Sequence, residues 1–173
     1  MGGTMFNDGD ATGATQYWGG ANGATGGSAV GYIPEVVWNE DSQENGLDAG
    51  GGGISAFFTK PAWQVETGPP LLTTSVPADA SRDVPDLALD AANNHDSYLY
   101  CVLDSCQSGF EIASGGDTGE FELAGGTSFD SQIFGGMLAL VEQKNLGARI
   151  GNANPTIYAL GNSATYYLSL IHI

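Results

Sequence analysis

The chain has 173 residues, and its 20 Asp and Glu face only four basic residues, Lys60, Arg82, Lys144 and Arg149, for a formal net charge of −16 at pH 7. So acidic a surface repels phosphate backbones, which argues against nucleic acid as a partner, and no apolar run approaches the roughly 18 residues of a membrane-spanning helix. A hydrophobic content of 42% suffices for one core, so the expectation is a monomer made of one domain or a large piece of one.

Below about pH 4 many of these carboxylates become neutral, so the composition suits an acidic setting. High solubility or a halophilic host accounts for it equally. The opening MGGTMFNDGD has neither a basic n-region nor an apolar h-region and does not read as a signal peptide. It begins in turn chemistry, as though chain preceded it.

Residues 1–31 read as polar, Gly-rich and irregular, with Tyr17 and Trp18 as anchors. YIPEVVWNE (32–40) is a short apolar segment that suits a strand. A Gly- and acid-rich loop follows and ends in the four glycines 50–53. ISAFFTKPAWQ (54–64) reads as a short helix or turn broken by Pro61. TGPPLLTTSVPADASRDVPD (67–86) holds four of the seven prolines and reads as extended surface chain. Trp38 and Trp63 suit core anchors, and Asp86, after a proline, suits a turn residue bonding nearby backbone.

From residue 84 the pattern changes. VPDLALDAA (84–92) alternates as a buried strand does, and SYLYCVLD (97–104) with SGFEIAS (108–114) reads as a hairpin. Four residues separate Cys101 from Cys106. That spacing fits a hairpin tip closed by a disulfide in an oxidising compartment, or two free thiols. A zinc site is not expected, since the chain has only two histidines.

GEFELAGG (119–126) suits one more strand, running straight into Ser128 and a helix marked by Ile133, Phe134, Met137, Leu138, Leu140 and Val141. Gly135 and Gly136 inside that helix suggest close approach of a neighbouring element. NPTIYALG (154–161) reads as a second helix with Asn154 as N-cap, Pro155 at the first helical position and Gly161 closing it.

Ser128 has two readings. At a helix N-terminus, unpaired N–H groups and the dipole stabilise negative charge, as acyl transfer requires, and Gly125 and Gly126 leave room for a substrate backbone. Alternatively the segment is only a cap, since Thr127-x-x-Asp130 fits a capping box. The nucleophile elbow of α/β-hydrolases is absent, because Asp130 stands where that motif needs glycine. A His base would be His95, in a polar turn, or His172, two residues from the end. Gly51, Gly52 and Gly53 suit either a cleft strand that pairs with an extended peptide or a plain flexible loop.

With these residues in view, the chain resembles the sedolisin family of serine-carboxyl peptidases. The landmarks, in order, are GGT (2–4), read as a post-strand Gly-Gly-Thr, then GGGGISAFFTKPAWQ (50–64), SRDVPDLALDA (81–91), GGTSFDSQIFGGMLALVEQK (125–144) and NANPTIYAL (152–160). The resemblance covers residues 1–165 and matches the C-terminal half of the family's catalytic domain. The tail 166–173 does not match it and reads as a truncation.

The resemblance implies a partial subtilisin-like α/β fold: a parallel sheet flanked by helices, with a hairpin and long Gly-rich loops. It implies secretion, with signal and propeptide outside these residues, and hydrolysis of polypeptide substrates in acid. It makes Ser128 the nucleophile, with its own N–H in the oxyanion hole and Gly51, Gly52, Gly53 and Gly126 beside the substrate. The base it implies is a Glu oriented by an Asp, with a further Asp in the oxyanion hole, all upstream of this chain. Calcium is expected for the complete domain, although NSATYYLSLIHI (162–173) offers no ligand set. Asp130 stands where the family has a small residue and Gln132 where it commonly has proline. An inactive, secreted binding or structural module is the alternative those two residues favour.

Overall fold

Residues 2–6 form the middle strand of the main sheet in the computed structural model, which describes residues 1–9, 16–21, 27–42, 46–65, 76–101 and 121–162. This strand, β1 (Gly2–Phe6), pairs antiparallel with β2 (Glu35–Val37) and parallel with β5 (Ala88–Asp90). The reading of residues 1–31 as irregular, with Gly-Gly-Thr after a strand, is therefore corrected. Glycine suits this strand because its neighbours sit too close for a side chain. A Cβ on Gly3 would lie 2.6 Å from the Ala91 methyl and 2.9 Å from the Trp38 ring.

Trp38, Ala91 and Ala92 form the core over this sheet, with Met5 packed against them. Trp18 is half-buried, donates from its indole to Asp8 at 2.8 Å and meets the Phe6 ring edge-on.

Residues 54–64 are not helical at their start. Gly53–Thr59 is a strand, β3, antiparallel to β4 (Ser81–Val84), which lies within the segment expected to be extended surface chain. Its β-branched and aromatic residues favour the pleated state over a short helix. The register shifts between Ile54 and Thr59, where the Ser55 hydroxyl accepts the N–H groups of Phe57 at 3.2 Å and Phe58 at 2.9 Å. Phe57 is left 92% exposed and Phe58 73%.

Next to this ribbon lies a polar latch. Fully buried Gln64 donates to the Asp83 carbonyl at 2.9 Å and the Tyr158 hydroxyl at 2.8 Å, and accepts the Asp83 N–H at 3.0 Å. Asp86 accepts from Tyr158 at 3.0 Å, from Asn154 at 2.9 Å and from the Arg82 guanidinium. Arg82 also lies 5.1 Å over the Trp63 ring, which packs on Tyr158. Asp86 thus reaches across the fold instead of bonding its own turn.

β6 (Tyr98–Cys101) pairs antiparallel with β7 (Phe121–Ala124), whereas residues 108–114 lie outside the described set. β7 feeds α1 (Thr127–Lys144), which packs on β1 and β5. In α2 (Asn154–Gly161) the cap position is Ala153, one residue before the expected Asn154, whose side chain is held by Asp86. Gly161 is the last helical residue and Asn162 the C-cap.

Among the described residues Gly135 and Gly136 meet no neighbour: a Cβ on either would find none of them within 4 Å. Gly136→Ala in the 173-residue chain is expected to raise stability by about 1 kcal/mol in urea unfolding. A loss would show that a further backbone closes on that face. Asp86→Ala strips Arg82, Asn154 and Tyr158 of one shared acceptor. It is expected to cost about 3 kcal/mol, read in the same assay, with Asp86→Asn costing less.

Candidate active site

Ser128 is the second residue of α1, and its side chain is exposed. The turn that delivers it is fixed by backbone contacts. Gly126, at φ 89°, is the N-cap, and its N–H donates to the Ala91 carbonyl at 2.7 Å. A Cβ on Gly125 would lie 2.5 Å from the Ala92 carbonyl oxygen and 2.8 Å from that of Ala91. The room at Gly125 is therefore taken by the chain leaving β5, not by a substrate. Gly126 faces open space, with nothing within 4 Å of a Cβ built there.

The capping box does not form. No side chain caps α1, and Asp130, expected to reach back to the cap, is turned inward and fully buried. Successive helical residues are rotated by about 100°, so Asp130, two residues on, points almost opposite to Ser128. Its carboxyl group is not beside the Ser128 hydroxyl. Among the described residues no side chain bonds the first-turn amides, and helix geometry aims them past the N-terminus where Ser128 stands.

Beneath this turn is a group of acids that sequence reasoning missed. Both Asp130 carboxyl oxygens lack a hydrogen-bond partner among the described residues. Burial pushes Asp130 up to about 6, with the Met1 ammonium pulling the other way. Asp90, at the end of β5, is pushed up to about 7, first by burial and then by the charge of Asp96, with Glu35 adding to it and the Ala92 N–H opposing.

Tyr98 stands among these groups. Burial, then the charges of Asp90, Asp130, Glu35 and Asp96, hold its hydroxyl well above the usual phenol range. Its ring stacks on Phe129 at 6.0 Å, which joins the acids to the serine-bearing turn. The available signal was an aspartate ending an apolar strand, in LALDAA, with no basic residue near it in sequence.

His95 is not placed as a base for Ser128. Its Nε2 faces Asp8 and its Nδ1 faces Asp96, each at 3.2 Å. The loop that carries it is clamped by Glu40, whose carboxylate accepts the N–H groups of Asn93 at 2.7 Å and His95 at 2.8 Å. Partial burial opposes ionisation of Glu40, but the Trp38 indole and the loop N–H groups outweigh it and hold Glu40 below the usual carboxylate range. His172 lies outside the described residues.

The glycine run is exposed over residues 51–53 and anchored at its ends. Gly50 donates to the Trp38 carbonyl at 3.1 Å, and a Cβ on Gly52 would lie 2.6 Å from the Val84 carbonyl oxygen. Cys101 is disulfide-bonded, and Cys106 lies outside the described residues. Among the described residues no three His, Cys, Asp or Glu side chains converge as metal ligands. The described residues therefore offer calcium no ligand set. Residues 163–173 lie outside the described set.

No family model matches the chain. Among curated proteins, kumamolisin from Bacillus sp. (strain MN-32) is 34% identical over 128 residues, 73% of this chain and 19% of that protein. Sedolisin from Pseudomonas sp. (strain 101) is 32% identical over 147 residues, 84% of this chain and 20% of that protein. Xanthomonalisin from Xanthomonas sp. (strain T-22) is 33% identical over 125 residues, 66% of this chain and 12% of that protein. The chain thus spans a fifth or less of these relatives.

The solved structure of Pseudomonas sedolisin, a serine-carboxyl proteinase complexed with two molecules of pseudo-iodotyrostatin, shares the fold. Its TM-score is 0.56 at 24% identity, over 95% of this chain and 33% of that one. The fold is the subtilisin-like α/β fold, represented here in part, with β1–β5 as the parallel pair. By sequence and fold together, the chain belongs to the sedolisin family of serine-carboxyl peptidases.

Proposed function

We propose that these residues form the serine-bearing part of an acid-acting endopeptidase, with Ser128 as the nucleophile. The observation that carries this reading is an exposed serine at the uncapped N-terminus of an 18-residue helix, reached through a turn with open space at Gly126. The substrate is an extended polypeptide lying over Gly126 and along Gly51, Gly52 and Gly53. Action outside the cell accords with the disulfide at Cys101.

In this reading the Ser128 oxygen attacks the scissile carbonyl carbon while a carboxylate base takes its proton. The oxygen that gains charge is met by the N–H of Ser128 and the helix dipole. The C–N bond breaks as the proton passes to the leaving amine, and water then hydrolyses the acyl ester to regenerate the hydroxyl. The base is assigned to chain outside these residues. A carboxylate suits acid, where an imidazole is protonated and useless as a base. The inward turn of Asp130 removes one of the two features favouring an inactive module, leaving Gln132.

In the longest polypeptide carrying these residues, Ser128→Ala is expected to lower peptide hydrolysis at acid pH by about 10⁴-fold or more. Retained hydrolysis would overturn the assignment, and absence of activity in the unaltered polypeptide would favour the inactive module. His95→Ala is expected to leave the rate constant for hydrolysis within a few-fold. The 173-residue chain alone is expected to hydrolyse nothing. Turnover by it would place the base among the residues described above.

A further inference from the structure

We propose that Asp130 and Asp90 form a protonation-dependent seat under the serine-bearing turn, whose neutral carboxyl groups let α1 lie on β1 and β5 in acid and whose ionisation loosens that turn as neutrality is approached. The geometry comes first. Asp130 is 0% exposed and neither of its oxygens has a partner among the described residues. A carboxylate so placed would be a buried, unpaired charge, which is strongly unfavourable.

The groups facing this seat come from every element packed around it. β5 offers Asp90, and the loop after it offers Asp96, which accepts the Phe6 N–H at 2.6 Å and faces His95. β2 offers Glu35, which accepts the Thr4 hydroxyl at 2.6 Å. β6 offers Tyr98.

The four lysine and arginine side chains are elsewhere, Arg149 being exposed after α1. Lys60 is paired with Asp79 and Asp83, and Arg82 with Asp86. Lys144 is in the last turn of α1, 14 residues and therefore about 20 Å along the helix from Asp130. As pH rises, negative charge accumulates under the turn.

The mechanical link to Ser128 is short. Phe129 stacks on Tyr98 and also meets Tyr100, so the residue between Ser128 and Asp130 is held by the same hairpin whose tyrosine faces the acids. Loosening of the seat would free Phe129 and, with it, the first turn of α1.

The sign follows from the folded-state values. Both carboxyls titrate higher in the fold than in an unfolded chain. Their favourable contribution is complete below the unfolded value of 3.8 and is lost as pH rises through about 6 for Asp130 and about 7 for Asp90. The inference does not rest on Ser128 being a nucleophile, because its readout is stability.

The test is thermal unfolding of the longest polypeptide carrying these residues, from pH 4 to pH 8, beside Asp130→Asn and Asp90→Asn, whose amides mimic the neutral acid. The expected result is a midpoint that falls between about pH 4 and pH 7 and levels off above, with a shallower fall in each variant and the shallowest in the double variant. Equal slopes in all four proteins would overturn the proposal and assign the fall to general repulsion among surface acids. Should a variant fail to fold, carboxyl-carbon NMR of the unaltered protein decides: an Asp130 titration midpoint above 5 is expected, and one near 4 overturns it.

Discussion

A contact between backbones governs this molecule. The Gly125–Gly126 turn lies directly on the carbonyls of Ala91 and Ala92, with no side chain between them. Such a contact is set by sterics, and it is stiff because a peptide carbonyl cannot yield as a flexible side chain can. Ala91 is 0% exposed, and its methyl also fills the space Gly3 leaves in β1. One alanine therefore locates both the central strand and the turn that presents Ser128. The exposure of Ser128, the stacking of Phe129 and the burial of Asp130 all follow from that placement.

Charge is distributed less evenly than composition suggests. Two of the four basic residues, Lys60 and Arg82, are committed to Asp79, Asp83 and Asp86 around β4. The acids under α1 face almost no compensation. Net charge describes the solvated exterior, whereas the behaviour of the interior depends on which carboxyls lie next to a cation.

Elements with a strong period were legible in the sequence. α1 stands where the apolar spacing put it, β7 and α2 differ only at their ends, and β5 keeps only Ala88–Asp90 of the strand expected over 84–92, Val84 belonging to β4. β1 was hidden because its two leading glycines look like a turn, and only the three-dimensional closeness of Ala91 and Trp38 explains them. β3 was hidden because Pro61 suggested an interrupted helix, whereas Ser55 and the strand across from it decide its state. Ser128 was legible as a residue at a helix start, and its freedom from capping was not, since Thr127-x-x-Asp130 fits a capping box on spacing alone. Asp86 and Asp130 were misjudged for one reason: the partner of a carboxylate, or its lack of one, is a property of the fold and not of neighbours in sequence.

The latch around Gln64 has a consequence for biosynthesis. Gln64 and Tyr158 are 94 positions apart, so the ribosome releases β3 and β4 long before the helix that completes their polar partners. Chains emerge at roughly 5–20 residues per second, which leaves this corner waiting several seconds with its amide and carboxylate hydrated and Phe57 and Phe58 outward. It matures only once α2 has emerged, and the aromatic pair is the surface that a chaperone would meet there.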